Sequence, residues 1–566
     1  MPVFLRALVA LLSLIAFLPH AEAVDWQVVL SAGNPAISQP PLPGTRAITG
    51  AGLGSSAGGL LGFQLAPAAG LLATGNWVER GLGLTQYAAV NTTGSLGPAR
   101  SGAQSADVFR QLFYGDSTGS TTRAFGAKAG DTSSSISNAS AGIWLWNGSS
   151  NVEIARVGVD DILGPGLGAG IVYKNLHNTT SQDDIDVRML PHGRVLFAGN
   201  IGSADTNGQN SLSIHVPDQG NQPCMLQSST EPNYAPGIIA IFSGLGPNVT
   251  VDPLGNVYDS AIVSATDQSP PGFYGATGIW QFCDGPPRVT VLTGTTSDYG
   301  PALADSGATF GGDANGLQAQ IAPGESASFY FTSGGKYSNS TTFLGLFHHN
   351  NDVGRNLPIL LQDQQGALGP QIDGAVFHAA TTPYHVLAAG HFAVLETTIA
   401  AAGTSSPLTH GLWRITDDAS AVPIAIADDT GAYAPTAGRT WTGNFYKYAV
   451  FDNGDIVTLA QTRNTTDAST TISWWRLGMA SAPVEILKIG DQVQIPTTAG
   501  LVSKPVTAIH ASVSASPPPS AGRDVWYSAN GTIVIDGVTL QGYENMSLQI
   551  RGLAARADEI FKDGFE

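Results

Sequence analysis

Two markers recur along this chain at a spacing of about 66 residues and in fixed phase, so the fold must be built from one small unit used many times. The first is a short apolar segment ending in a large residue. It occurs as Asn76-Trp77, Gly142-Ile143-Trp144, Ser213-Ile214, Gly278-Ile279-Trp280, Leu346-Phe347, Gly411-Leu412-Trp413 and Trp474-Trp475, whose last residues lie 67, 70, 66, 67, 66 and 62 apart. The second is a turn glycine inside an alternating apolar run, at Gly193, Gly255, Gly324, Gly390 and Gly454, with gaps of 62, 69, 66 and 64. Each glycine follows its large apolar residue by 41 to 49 positions, a coupling that scattered glycines would not keep. Between the markers lies a third element, Val152-Glu153-Ile154-Ala155-Arg156-Val157-Gly158, which returns as Val484-Glu485-Ile486-Leu487-Lys488-Ile489-Gly490.

One unit therefore reads as strand, turn, strand, long Gly/Pro loop, strand, tight turn, strand. The strands are short, alternating and rich in Val, Ile, Trp and Phe, with no sustained 3.6-residue apolar period, which makes the class all-β. A single four-stranded sheet cannot bury both faces, and stacking sheets around an axis solves that problem. The expected fold is a β-propeller of seven or eight four-stranded blades, with an open β-repeat array as the alternative. In it the recurring Trp77, Trp144, Trp280, Trp413 and Trp475 are wedges packed between neighbouring sheets. The units run near 24–76, 77–141, 142–210, 211–276, 277–342, 343–410, 411–472 and 473–548, followed by a linker and tail at 549–566. The first unit has no first strand, although Trp26 to Gly33 resembles the second-strand element. Near the other end Val525-Trp526-Tyr527 and Ile533-Val534-Ile535 lack a complete unit after them. A sheet shared by both termini would close a ring of seven complete units plus one; if Gly531 is instead the turn glycine of the seventh unit, the count is seven.

The segments Gly142-Ile143-Trp144, Ala155-Arg156-Val157-Gly158 and Gly193-Arg194-Val195-Leu196-Phe197 resemble the tandem NxxGxxAF-repeat proteins, exported bacterial proteins also called choice-of-anchor tandem repeat proteins. Gly324-Glu325-Ser326-Ala327 and Gly390-His391-Phe392-Ala393 are weaker matches. The motif's Asn is replaced by Leu190, Asp252, Ile321, Leu387 and Phe451, and its Phe is kept at Phe197. The resemblance covers residues 24 to 535 and implies the architecture; the family has no agreed activity, so nothing catalytic comes with it. The last residues, among them Ile560, Phe561, Asp563, Gly564, Phe565 and Glu566, are similar to a short tail ending in DGFE on unrelated exported proteins of gram-negative bacteria, which implies sorting or surface retention.

The ends and the charge bound what the unit can serve. Arg6, the apolar run Ala7 to Leu18 and Ala21-Glu22-Ala23 have the three parts of a secretory signal peptide ending at residue 23. The run is too short to span a bilayer, and no later stretch is a transmembrane segment, so periplasm, cell surface or medium is expected. A net charge of −18 argues against nucleic acid, and 12% charged residues leave an uncharged polar surface. The two cysteines, Cys224 and Cys283, are expected to form a disulfide between adjacent sheets, worth about 4 kcal/mol for a loop of that length.

No set of residues nominates a reaction. Ser56 matches G-x-S-x-G without the helix that motif needs. His348-His349-Asn350-Asn351-Asp352 reads as a polar inter-strand loop more than a metal site, since neighbours on a strand point to opposite faces. Carboxylates at Asp160-Asp161, Asp363, Asp428-Asp429 and Asp491 read as turn residues, with Ca²⁺ as the one cofactor worth considering. Asp183-Asp184-Ile185-Asp186 lacks a nominated acid partner. The expectation is an exported surface or secreted protein acting as a non-enzymatic binding module for a glycan or protein. A carbohydrate-active propeller hydrolase or lyase is the alternative, and a structural surface component the second. An enzyme should gather perturbed acids and bases from different units; a binding module should show exposed aromatics on one rim.

Overall fold

The computed structural model describes residues 26–553 except 33–47, 55–61, 68–74, 81–82, 101–103, 117–121, 177–184, 186, 204–205, 237–239, 246–248, 253, 266–275, 297, 312–317, 324–327, 379–384, 390–391, 417–419, 452, 480, 498–499, 512–524, 528–531, 536 and 544–546. The signal-like segment, Ser56, Asp183, Asp184, Asp186, Gly324, Gly390 and the C-terminal tail therefore lie outside the described residues.

Seven antiparallel sheets follow one another along the chain, and an eighth draws on both ends. Blade 1 spans strands Ile48–Gly54 to Gly83–Ala89, blade 2 Val108–Asp116 to Asn151–Arg156, and blade 3 Ile171–Asn175 to Gly220–Leu226. Blade 4 spans Ala240–Leu245 to Arg288–Leu292, blade 5 Thr309–Phe310 to Arg355–Leu361, blade 6 Ala375–Phe377 to Ala421–Ile426, and blade 7 Arg439–Val450 to Val484–Leu487. The fold is an all-β propeller of eight blades. The ladder divides the repeat at a different point from the sequence unit: the strand that carries G-I-W is third in its sheet, V-E-I-A-R is fourth, and the long loop joins two blades. Which hairpins share a ladder is a non-local property, so spacing alone could not phase it.

Blade 8 closes the ring. Its inner strand is made of Val525–Tyr527 and the end of Gly500–Ile509, its second of Thr532–Ile535 and Val538–Leu540, and its third is Ser547–Leu553. The fourth is the N-terminal strand Trp26–Ala32, antiparallel to Ser547–Leu553, with Gln27 opposite Arg551.

Three devices recur around the ring. On the third-to-fourth ladder the register slips at one place in each of blades 1 to 7, just before Trp77, Trp144, Ser213, Trp280, Phe347, Trp413 and Trp475. These bulges define the aromatic position geometrically, and blade 3 is the exception: Ser213, not Ile214, occupies it. The five tryptophans are buried, and edge-on pairs tie this position to the first strand, as Phe109–Trp144 at 5.0 Å, Phe242–Trp280 at 5.3 Å, Phe310–Phe347 at 4.8 Å, Phe377–Trp413 at 5.2 Å and Trp441–Trp475 at 5.1 Å.

The second device is a latch just after each fourth strand. Asn91, Gly158, Ser228, Gly294, Asp363, Asp428 and Gly490 all adopt positive φ, where glycine and short polar residues are least strained. Each donates its backbone N–H, at 2.8–2.9 Å, to the next blade's first strand, at Phe109, Tyr173, Phe242, Phe310, Phe377, Trp441 and Val506.

The third device is a buried side-chain donor at the start of a fourth strand. Asn151 Nδ2 donates to the carbonyls of Tyr87, Ser95 and Gly97, Asn221 Nδ2 to those of Ile154, Leu163 and Gly164, and Asn356 Nδ2 to those of Thr290 and Gly300. Tyr87, Ile154 and Thr290 are the residues skipped at the bulge of the preceding blade, so the bulge frees a carbonyl for its neighbour. In blade 8 the same place belongs to Trp26, whose Nε1 donates to the skipped Ile486 at 2.9 Å. Asn221→Ala should cost about 2 kcal/mol in chemical denaturation, because it leaves buried carbonyls without a donor; a cost near zero would remove the staple.

Candidate functional site

The inner strands carry the irregularity of the repeat. The second parts of successive inner strands touch around the ring, from Thr250–Val251 of blade 4 through Gln318–Pro323 and His385–Ala389 to Arg439–Val450 of blade 7, and Val187–Met189 of blade 3 touches Val108–Asp116 of blade 2, which places them about the axis. In blades 3 to 6 the inner strand pairs with its neighbour through two separate segments, such as Ile171–Asn175 and Val187–Met189 in blade 3 or Ala375–Phe377 and His385–Ala389 in blade 6. In blade 7 it continues but twice leaves register, between Trp441 and Phe445 and between Phe445 and Lys447. Bulges of this kind re-aim side chains and gather beside working sites.

The blade 7 bulge builds a polar cluster on the seam with blade 6. Gly443 at its tip has φ 86° and packs against His410, the second residue of the third strand Thr409–Thr416; a Cβ there would lie 3.0 Å from the His410 Cβ. The Gly443 carbonyl accepts from His410 Nδ1 at 2.7 Å, so Nδ1 carries a proton on a half-exposed ring. Glu396 Oε1 lies 3.7 Å from the same Nδ1. Burial holds the Glu396 carboxyl above the usual carboxylate range, against the opposing pull of His410 and Tyr448. Burial and the Glu396 charge likewise push the Tyr448 phenol, on the inner strand of blade 7, well above its ordinary value. Beside them Thr442 Oγ1 and Asn444 Nδ2 both donate to Gln461 Oε1, at 3.0 and 2.9 Å. The arrangement presents one imidazole and several uncharged amide and hydroxyl groups, backed by an acid and a phenol from two blades.

The residues singled out from sequence fall elsewhere. His348 and His349 are not in a loop: they end the buried third strand Thr342–Asn350 of blade 5, and Asn351-Asp352 make the turn. His349 stacks on Phe329 at 5.0 Å and its Nδ1 meets Asn356 Oδ1 at 2.8 Å, orienting the staple just described, as His215 does for Asn221 at 3.0 Å. Sequence spacing saw two histidines near a turn; the strand continues three residues past Phe347, to Asn350. The recurring carboxylates sit in turns, with Asp161 Oδ1 accepting from Leu163 N–H, Asp429 Oδ2 from Tyr433 N–H and Asp491 Oδ2 from Lys488 N–H. No group of three or more potential metal ligands occurs among the described residues. Gly193, Gly255 and Gly454 have positive φ in the turn before the second strand. Cys224 and Cys283 are joined in a disulfide; Cys224 is the skipped bulge residue of blade 3 rather than part of a connection, and Cys283 follows the third strand of blade 4. Glu153 and Glu485 of the third marker are structural. Arg100, stacked over Trp144, bonds Glu153 at 2.6 Å and Asp107 at 2.8 Å, and Arg439, over Trp475, bonds Glu485 at 3.1 Å. Glu396 and Tyr448 drew no attention in the sequence, because their meeting depends on two blades packing together.

No family model and no curated protein matches the chain. Solved structures similar to it include an ulvan lyase of a polysaccharide lyase family (9% identity, 82% of this chain and 97% of that one, TM-score 0.26). Others are an α-L-arabinanase of Penicillium chrysogenum (11%, 65% and 92%, 0.22) and a levansucrase of Bacillus subtilis (10%, 56% and 86%, 0.21). No helix among the described residues is long and apolar enough to cross a membrane.

Proposed function

We propose that this is an exported propeller of the choice-of-anchor tandem-repeat kind that binds a neutral glycan on the seam between blades 6 and 7. The observation that carries the reading is the bulge at 442–446, which leaves its ladder and gathers Thr442, Asn444, Gln461 and His410 into one uncharged hydrogen-bonding patch. Sugar hydroxyls need adjacent donors and acceptors of this type, while a net charge of −18 repels polyanions. The signal-like N-terminus supports export, and the DGFE-type tail is the retention element in this reading. The Glu396–His410–Tyr448 cluster favours a second reading, in which His410 Nε2 is a general base and the glycan is cleaved.

A glycan array run beside a polysaccharide hydrolysis screen distinguishes the two. We expect binding to a neutral glycan, weakened about tenfold, or about 1.4 kcal/mol, in Asn444→Ala, and no new reducing ends. Product formation that Glu396→Gln abolishes would replace binding by catalysis. A preference for polyanionic glycans would sink both readings of the site.

A further inference from the structure

Blades 3 and 4 meet on an apolar layer that includes Leu196, Leu212, Met225, Phe242 and Trp280. On the second strand of blade 4, directly across the ladder from Trp280, stands Asp259, wholly buried. Neither of its carboxylate oxygens finds a hydrogen-bond partner among the described residues, and neither does Trp280 Nε1. Opposite the aromatic position the other blades place Phe125, Phe197, Phe331, Leu395 and Thr458, so this is the one described seam of the ring where the site holds an acid. No charged side chain contributes at the carboxyl: burial alone raises it well above the usual carboxylate range, and only the adjacent Ser260 amide opposes. The same seam carries the chain's one cross-link, Cys224 of blade 3 to Cys283 of blade 4.

We propose that the disulfide is a clamp across the ring's weakest seam, so that reducing it lets blades 3 and 4 part and delivers Asp259 to water. Reduction adds two electrons and two protons from an external dithiol and leaves two thiols. The pH dependence follows from the sign of the shift. An acid kept neutral in the closed seam contributes nothing adverse below the ordinary aspartate value. Above it, the parted form gains by ionising, and the opening constant rises about tenfold per pH unit until the closed-state value is reached. Closure is therefore firm at low pH and is lost as pH rises, and the clamp masks that loss while it is intact.

Hydrogen–deuterium exchange on the full chain, oxidised and reduced, at pH 5 and pH 8 and corrected for intrinsic rates, tests this. In the reduced protein, strands Gly220–Leu226, Ala240–Leu245 and Val257–Ala265 should exchange faster by about tenfold per pH unit, while Thr409–Thr416 of blade 6 keeps its protection and the oxidised protein shows no such rise. Asp259→Phe, the residue found opposite in blades 2, 3 and 5, should abolish the pH dependence; Asp259→Asn, closer in shape, should do the same if the larger side chain disturbs folding. Uniform loss of protection in every blade, an unchanged reduced protein, or equal pH dependence in Asp259→Asn would overturn the proposal.

Discussion

Trp26→Ala lowers the unfolding free energy by about 4 kcal/mol, a cost typical of truncating a fully packed tryptophan, and lowers the denaturant slope with it. The size comes from packing: Trp26 is 2% exposed and shares a core with Ile533 and Ile550 of blade 8, Trp474 of blade 7, and Val493 and Ile495 of the strand Gln492–Thr497 that pairs parallel with its own. The slope comes from position. This side chain anchors the one strand that brings the start of the chain to its end, through Ile486 on one side and Ser547–Leu553 on the other. When that strand detaches, the ring is already open in the native baseline and less surface remains to be exposed. Guanidinium titration followed by tryptophan fluorescence and by circular dichroism reads both quantities. A loss below 1 kcal/mol with an unchanged slope would mean that the N-terminal strand does not hold the ring.

Glu153→Ala is the second large effect, about 3–5 kcal/mol, because it strands a cation instead of removing a pair. The Arg100 side chain is 1% exposed and has its charge met by Glu153 and Asp107, while Glu153 also receives Arg156. Taking the shared carboxylate away leaves a guanidinium enclosed against Trp144 with half its partners. Replacing Arg100 by methionine in the same chain should recover part of the loss, and thermal melts of the two single variants and the double variant give the coupling energy. If the double variant is no better than Glu153→Ala, the network is not what holds this corner of blade 2.

Much of the ring was legible because the markers are local. A tryptophan that ends one strand, a glycine that starts another and a Val-Glu-Ile run survive in the sequence whatever surrounds them. Even the closure was half legible, since Trp26 to Gly33 resembles the second-strand element of the unit with no first strand before it. The phase of the blade could not, because the tight turns leave open which two hairpins share a ladder. Nor could the staples: an asparagine at the head of a strand has no signature until the bulge of the preceding blade presents a free carbonyl. His348-His349 was misplaced because the third strand runs on past Phe347 to Asn350, and nothing in the spacing marks that end. The candidate site was illegible for a different reason. Glu396 is unusual only because His410 and Tyr448 stand beside it and Gly443 holds His410, and the Tyr448 and Gly443 contacts cross a seam.

The latches link each blade to the next over short stretches of chain, such as Asn91 to Phe109, whereas the bond from Trp26 to Ile486 spans 460 residues. In kinetic terms the two kinds of joint belong to different timescales, since ordering a long loop must precede any reward from its ends meeting. Blades 1 to 7 can therefore form in chain order, each on the edge of the last, while the earliest described strand is the last to find its partners. A chain stopped before residue 547 would hold seven blades, the two inner strands of an eighth and an N-terminal strand with no third strand to pair with.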